Sequence, residues 1–407
     1  MTVVKLNAIQ VLALSCFGLV MGSWLKRRLP VLDYLNIPAA IIGGLIYASL
    51  ILVLRDRVVN FEMDLVLQGI LMITFFTTIG MSASLGLVRK GGPQVLLFFV
   101  IATVGAVLQN VLGIGLANVF GLNPLLGIIS GSVALTGGPA TALSFGPTFE
   151  GLGVAGATTL GVSSAMFGIT AGGLSGGFIG GRLIDRYRLQ ARPVPGPSAE
   201  QLLYADASEQ AEPSRIADES DSEESVLLRN VIVIAIAMGL GSIISGWFTA
   251  NQIVLPAYIG AMMAASVIRN LDDKWRFAGI SQSHVDTIGN ISLSMFIVMA
   301  LLTLRLWELV HLAGPMFGML FGQIVLVVLM CVGVFFLMGR DYESAVMAGG
   351  FSGFMLGTTA NAMACMSVLR EKYGPAPRAF IVVPLVGASL IDFTNAAIIT
   401  QMANLFK

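Results

Sequence analysis

Thr136, Gly137, Gly138 and Thr141 are the first residues whose types and spacing could do chemistry. They lie in the run Gly131-Ser132-Val133-Ala134-Leu135-Thr136-Gly137-Gly138-Pro139-Ala140-Thr141. Glycine permits a tight turn, and proline suits the first helical position after it. A half-helix beginning near Pro139 points its free N–H groups and positive dipole end at the turn, which favours a carboxylate. Thr136 and Thr141 add hydroxyls. The competing reading is a Gly-Gly-Pro turn in an extramembrane loop. A second run, from Gly349 to Asn361, offers Gly357, Thr358, Thr359 and Asn361. Carbonyls at such a break, with Thr and Asn oxygens, suit a hard cation such as Na⁺. The same groups could hydrogen-bond an amino-acid ligand, or only mend broken backbone.

Asp392 lies deep in an apolar run. An ionisable residue in a membrane span is a functional hypothesis by default. Asn395, three residues on, shares its helix face. Together they make half of a Na⁺ site, to which Thr358 and Asn361 could add oxygens. A structural, hydrogen-bonded Asp at a helix contact is the plainer reading. Gly168, Gly172, Gly176 and Gly180 repeat at small-residue spacing, which directly implies close helix approach. Gln109 and Asn110 read as interhelical hydrogen-bonding groups. The chain carries no Walker A loop, Rossmann fingerprint or zinc-binding helix, and no paired catalytic dyad. It does not read as an enzyme.

The elements that must position these residues are transmembrane helices. Of 407 residues, 56% are hydrophobic and 11% charged, and mean hydropathy is +0.85. A soluble domain is about 25% charged. Apolar runs long enough to cross ~30 Å of hydrocarbon recur throughout, so the chain reads as an all-α polytopic membrane protein. Cys16, Cys331 and Cys365 stand in apolar stretches and suggest core packing.

Spans are expected at 6–25, 37–54, 66–87 and 94–120, then a broken pair at 125–150 and a span at 156–184. The polar stretch 185–225 reads as a flexible linker. Spans follow at 226–248, 255–270, 285–304 and 313–338, then a broken pair at 342–372 and a span at 377–403. Ile37-Pro38-Ala39 and Leu255-Pro256-Ala257 stand 218 residues apart, as do Gly131 and Gly349. This spacing predicts two repeats, 1–184 and 226–407, each with five spans and a broken pair. Five is odd, so the second repeat enters the membrane inverted, the plan of secondary transporters. With each broken pair re-entrant and the N-terminus outside, only Lys5, Arg55, Arg57, Arg305 and Lys407 of the 23 basic residues remain outside. The positive-inside rule expects this bias. Both termini are then outside, the linker is cytoplasmic, and the two hairpin tips can meet near the midplane.

The chain resembles the sodium/glutamate symporter family. The resemblance rests on Val59–Asp64 leading to Phe75–Gly80, on Gly131–Gly138, on Leu356–Thr359, on Tyr373-Gly374-Pro375, and on Phe380–Ala388 with Ile391-Asp392. It implies Na⁺-coupled glutamate uptake by an inner-membrane homodimer, with elevator-type motion of the hairpins against a fixed scaffold. Citrate symporters are related in fold. In this family the first hairpin commonly reads Gly-Gly-His-Gly-Thr; here Pro139 and Ala140 replace the His and the third Gly. On the residues alone, another amino acid or small carboxylate remains open as substrate, as does a channel or a membrane sensor.

Overall fold

A computed structural model describes residues 2–191, 223–251 and 256–406, apart from Asn36 and Asp56. The core of the expected linker, 192–222, lies outside the described residues, as does Leu255. The flanking helices run into both linker ends, to Tyr187 and from Glu223.

In chain order the elements are β1 (Thr2–Leu6), α1 (Ala8–Arg28), α2 (Pro30–Tyr34), α3 (Ala39–Leu54), β2 (Val59–Met63), α4 (Val66–Ser82) and α5 (Leu85–Val119). Then come α6 (Pro124–Ile128), a π-helical turn (Ile129–Val133), α7 (Gly138–Gly151) and α8 (Ala157–Tyr187). The second half has α9 (Glu223–Ala250), α10 (Tyr258–Trp275), α11 (Gln282–Leu302), a 3₁₀ turn (Leu306–Glu308) and α12 (Leu309–Leu337). It closes with α13 (Tyr342–Met355), α14 (Thr359–Tyr373), α15 (Pro377–Leu385), a second π turn (Val386–Leu390) and α16 (Ile391–Leu405).

Six of these helices are long and apolar enough to cross a membrane, and the chain is a multi-pass membrane protein. Helices α3 and α4, expected as full spans, have 16 and 17 residues. At 1.5 Å per residue they reach about 25 Å. The expected span 66–87 stops at Ser82, and residues from Leu85 join α5 across a kink at Gly92-Pro93. Pro93 has no N–H to continue the ladder, and Gly92 takes φ 68°. The expectation of a purely helical chain needs one correction. β1 and β2 form a parallel two-stranded ladder, Thr2 opposite Val59 through Leu6 opposite Met63. Thr2, Val3 and Val4 of β1 and Val59 and Phe61 of β2 are residue types that favour strands. Lys5 and Glu62 pair across the ladder at 3.1 Å, both exposed.

The helices pack as two groups. α1, α3, α4, α9, α10 and α11 pack on one another, and α5–α8 pack with α12–α16. Each half of the chain contributes to both groups. The outer surface is apolar, with Phe17, Trp24, Phe178, Ile243 and Phe321 exposed, as a hydrocarbon solvent permits. Cys331 and Cys365 are buried as expected, but Cys16 faces outward.

Lipid gives helices no hydrophobic reason to associate, so contact comes from small residues that let backbones approach. Along α8 the glycines lie directly on α13. A Cβ on Gly168 would stand 2.3 Å from the Leu356 carbonyl oxygen, and one on Gly176 2.5 Å from that of Gly349. The base of α13 is held by Asp341. Its carboxylate accepts from the Ser344 amide at 2.8 Å and from Arg378 Nη2 at 2.7 Å. Burial pushes the Asp341 carboxyl up, but the Ser344 and Arg378 contacts outweigh it and hold it below its usual value.

Gly168→Ala should lower the thermal unfolding midpoint in detergent, at an overpacking cost of about 1–3 kcal/mol. Gly177→Ala, with open space around its Cβ, should leave it unchanged; equal effects would refute the close contact. For Asp341, a depressed folded pKa gives stability that is complete above the ordinary Asp range and lost as pH falls through the folded value. The stability difference between wild type and Asp341→Asn should therefore shrink on acidification. A difference constant with pH would show that the carboxylate contributes nothing.

Candidate functional site

The first break follows from its sequence. Asn123 caps α6 through the Leu125 amide, with Pro124 at the first turn. Gly131 (φ −91°, ψ −127°) then leaves the helical path inside the π turn. Helix α7 restarts at Gly138, whose φ of 70° suits glycine, with Pro139 in its first turn. Thr136, Gly138 and Thr141 are buried. The second break is simpler. α13 ends at Met355, and Thr358 caps α14 by accepting from the Asn361 amide at 3.4 Å.

The two tips meet. A Cβ on Gly138 would lie 3.5 Å from the Gly357 carbonyl oxygen and 3.7 Å from Thr358 Cγ2. One buried side chain bridges the two breaks. Gln109 on α5 accepts from Thr136 Oγ1 at 2.6 Å and donates to the Met355 carbonyl at 2.8 Å. Its own carbonyl accepts from Gln323 Nε2 of α12 at 2.7 Å. Beside it, Asn110 Oδ1 accepts from the Ser132 amide at 2.9 Å, and Asn395 Nδ2 of α16 donates to the Ser132 carbonyl at 3.1 Å. The amides freed by the first break thus find partners on α5 and α16.

The sequence-predicted residues divide by what they still offer. Thr141 donates its hydroxyl to the Gly137 carbonyl at 2.8 Å, and Thr359 donates to Gly387 at 2.6 Å. Both hydroxyl protons are already engaged. Asn361 donates to the Ile169 carbonyl at 2.7 Å, which leaves its buried Oδ1 without a partner among the described residues. Asn395 Oδ1 and Ser132 Oγ are also buried and unpartnered. A buried oxygen without a donor is costly, and these oxygens suit a hard cation. Asp392 is half-buried, and the ring of buried Tyr258 lies within its electrostatic reach. Tyr258 stacks on Phe76 with centroids 3.7 Å apart and meets Phe145 of α7 edge-on. Asn395 is tied to the first break through Ser132. Thr358 and Asn361 belong to the other tip. Thr394, between Asp392 and Asn395, has its hydroxyl 3.3 Å from that of Thr103 on α5.

The sequence reads Gln109 and Asn110 as interhelical hydrogen-bonding groups and does not single out Ser132 or Gln323. Two adjacent amides mid-way along an apolar helix were the available signal for the first pair. For Ser132 and Gln323 the role appears only when the helices are assembled.

With this geometry in place, the relatives of the chain are informative. The family model for the sodium/glutamate symporter matches residues 4–375. The sodium/glutamate symporter of Escherichia coli (strain K12) is 34% identical over 399 residues, covering 97% of this chain and 96% of that protein. The sodium/glutamate symporter of Haemophilus influenzae is 32% identical over 394 residues, covering 96% and 95% respectively.

Gln109→Leu should strip the bridge from both tips, leaving the Met355 carbonyl and the Thr136 hydroxyl unsatisfied. About 1–3 kcal/mol per unsatisfied group should appear as a lower unfolding midpoint. An unchanged midpoint would mean that other groups satisfy the breaks.

Proposed function

We propose, for a chain that belongs to the sodium/glutamate symporter family, that it imports glutamate across the membrane with Na⁺ as coupling ion. The observation that carries this reading is the meeting of two broken helix pairs at Gly138 and Gly357, one from each half of the chain. Discontinuous helices facing each other in this way are the usual place for substrate and coupling ions in secondary transporters. Substrate would lie against Thr136, Gly137, Gly138 and Thr141 on one side and Gly357, Thr358, Thr359 and Asn361 on the other. The α7 N-terminus, with its positive dipole end, would take a carboxylate. Na⁺ would be held near Asp392 and Asn395, with Asn395 Oδ1 and Ser132 Oγ as unpartnered oxygens close to the first break.

Coupling follows from charge. Closing the tips removes substrate and Asp392 from water, and a buried negative charge is costly unless neutralised. Na⁺ supplies that neutralisation, so closure is favourable only with both bound. A ~1.4 kcal/mol preference is already tenfold in occupancy. We further propose two inverted repeats, both termini outside, a homodimer, and elevator-type movement. The division of the helices into two groups, each built from both halves of the chain, supports that movement. α5–α8 with α12–α16 would carry the site past the group built on α1, α3, α4, α9, α10 and α11.

A different substrate, another amino acid or small carboxylate, is favoured by one feature. Pro139 and Ala140 occupy the first tip, and no arginine or lysine stands among the tip contacts described above to pair with a second carboxylate.

Purified protein in liposomes should accumulate labelled glutamate under an inward Na⁺ gradient and not when K⁺ replaces Na⁺. Asp392→Asn should lower uptake at least tenfold at limiting Na⁺. Equilibration without accumulation would indicate a channel. No glutamate uptake, with Na⁺-driven uptake of another carboxylate, would overturn the substrate assignment alone.

A further inference from the structure

Ser132 is the residue of the first break that other helices grip twice. Gly131 turns the chain off the helical path just before it. Asn110 Oδ1 of α5 then accepts from the Ser132 N–H at 2.9 Å, and Asn395 Nδ2 of α16 donates to the Ser132 carbonyl at 3.1 Å. The approach from α5 leaves no room for a side chain at 131, since a Cβ on Gly131 would stand 2.8 Å from Asn110 Oδ1.

These bonds fix both amide orientations, because an N–H needs an oxygen and a carbonyl needs a donor. What each residue has left follows from them. Asn110 has committed its oxygen, and its unpartnered Nδ2 is a donor that cannot ligate a cation. Asn395 has committed its donor and keeps Oδ1. Ser132 keeps Oγ. Both oxygens are buried and without a partner among the described residues, on side chains whose residues are 1% and 0% exposed. Ser130, just before the break, turns its hydroxyl back onto the Leu126 carbonyl at 2.8 Å; Ser132, just after it, does not. Two such oxygens on one hydrogen-bonded pair of residues suit a hard cation, and a buried group without a partner is costly until something fills its place.

We propose that Asn110 is a positioning residue for Na⁺. It fixes the Ser132 peptide unit against α5 so that Ser132 Oγ and Asn395 Oδ1 ligate the ion, and it does not ligate the ion itself. This rests on the reading of the chain as Na⁺-coupled and adds to it the direct part of Ser132 and the indirect part of Asn110. The ion ties α16 to the first break a second time, beside the existing Asn395–Ser132 hydrogen bond.

The test is thermal unfolding of the purified full chain in detergent, with NaCl exchanged for choline chloride at constant ionic strength, beside Na⁺-driven glutamate uptake in liposomes. Na⁺ should raise the wild-type midpoint, because an ion that binds only the folded state stabilises it. Ser132→Ala removes an unpartnered hydroxyl and keeps both grips on the peptide unit, so its midpoint without Na⁺ should equal or exceed that of wild type. Its Na⁺ concentration for half-maximal shift, and for half-maximal uptake, should nevertheless rise about tenfold, the scale of one lost contact. Asn110→Leu should raise the Na⁺ requirement similarly, with the KM for glutamate unchanged at saturating Na⁺. Asn110→Asp keeps an oxygen for the Ser132 amide and should need no more Na⁺ than wild type. If Asn110→Leu does not fold, Ser132→Ala and Asn110→Asp still decide. An unchanged Na⁺ requirement in Ser132→Ala would overturn the proposal while uptake by wild type upheld the symport reading. A lower midpoint in Asn110→Leu with an unchanged Na⁺ requirement would reduce Asn110 to backbone repair. A Na⁺ shift lost in Ser132→Ala, with no glutamate uptake by wild type, would uphold the site and sink the substrate alone.

Discussion

A peptide group without a hydrogen-bond partner is costly in hydrocarbon, and this protein contains two places where helices stop inside its core. The rest of the structure is arranged around satisfying those stops. Gln109 is completely buried and spends its side chain on both breaks at once, through Thr136 and the Met355 carbonyl. Asn110 and Asn395 take the amide and carbonyl of Ser132. Asn361 and Thr359 use their donors on the backbones of α8 and the second π turn. The polar residues of the core are therefore committed first to repairing backbone. What remains around the breaks includes Asn361 Oδ1, Asn395 Oδ1, Ser132 Oγ and Gln323 Oε1, oxygens left without a partner among the described residues. On the proposed reading, the chemistry of the site is that remainder.

The same breaks dictate how the helices pack. A helix pair that turns back within the protein needs a neighbour close enough to follow its path. α8 meets that need with glycine at four-residue spacing, which brings its backbone onto Leu356 and Gly349. The contact joins the span that follows the first break to the arm that precedes the second. Both breaks thus belong to one group of helices, although residues 131 and 349 are far apart in the chain. Movement of that group as a unit would leave the Gln109 bridge and the glycine contact intact. Opening of the tips alone would have to work against the bridge.

The charged residues of the chain are divided between two tasks. Most lie at helix ends, as Lys26, Arg27 and Arg28 do at the end of α1, or in pairs such as Asp341 with Arg378. Asp392 stands in the first turn of α16, directly after the second π turn, in an otherwise apolar run. Among the described contacts at the meeting tips, the groups are neutral oxygens and backbone. On the proposed reading, a substrate carboxylate would find backbone N–H groups there and a cation the unpartnered Asn and Ser oxygens.

The helical and polytopic character, the two breaks and nearly every helix were legible in the sequence. Hydropathy, and glycine or proline where a helix must stop, are local properties that act whatever the chain does elsewhere. Asp392 stands out in the sequence for a similar reason, since a carboxylate in an apolar run is conspicuous without a fold, and its role stays a proposal. The boundaries at Ser82 and Leu85, the outward face of Cys16 and the β1–β2 ladder were not, because each depends on a neighbour distant in the chain. The same holds for the site. Nothing local to Thr136 announces that its hydroxyl will meet Gln109, or that Gly138 will face Gly357. Nor does Thr141 announce that its proton is taken by Gly137. Local sequence determined where the backbone would break and which polar groups were available. Tertiary packing decided which of those groups repair backbone and which oxygens remain, because a buried hydrogen bond depends on geometry that only assembled helices possess.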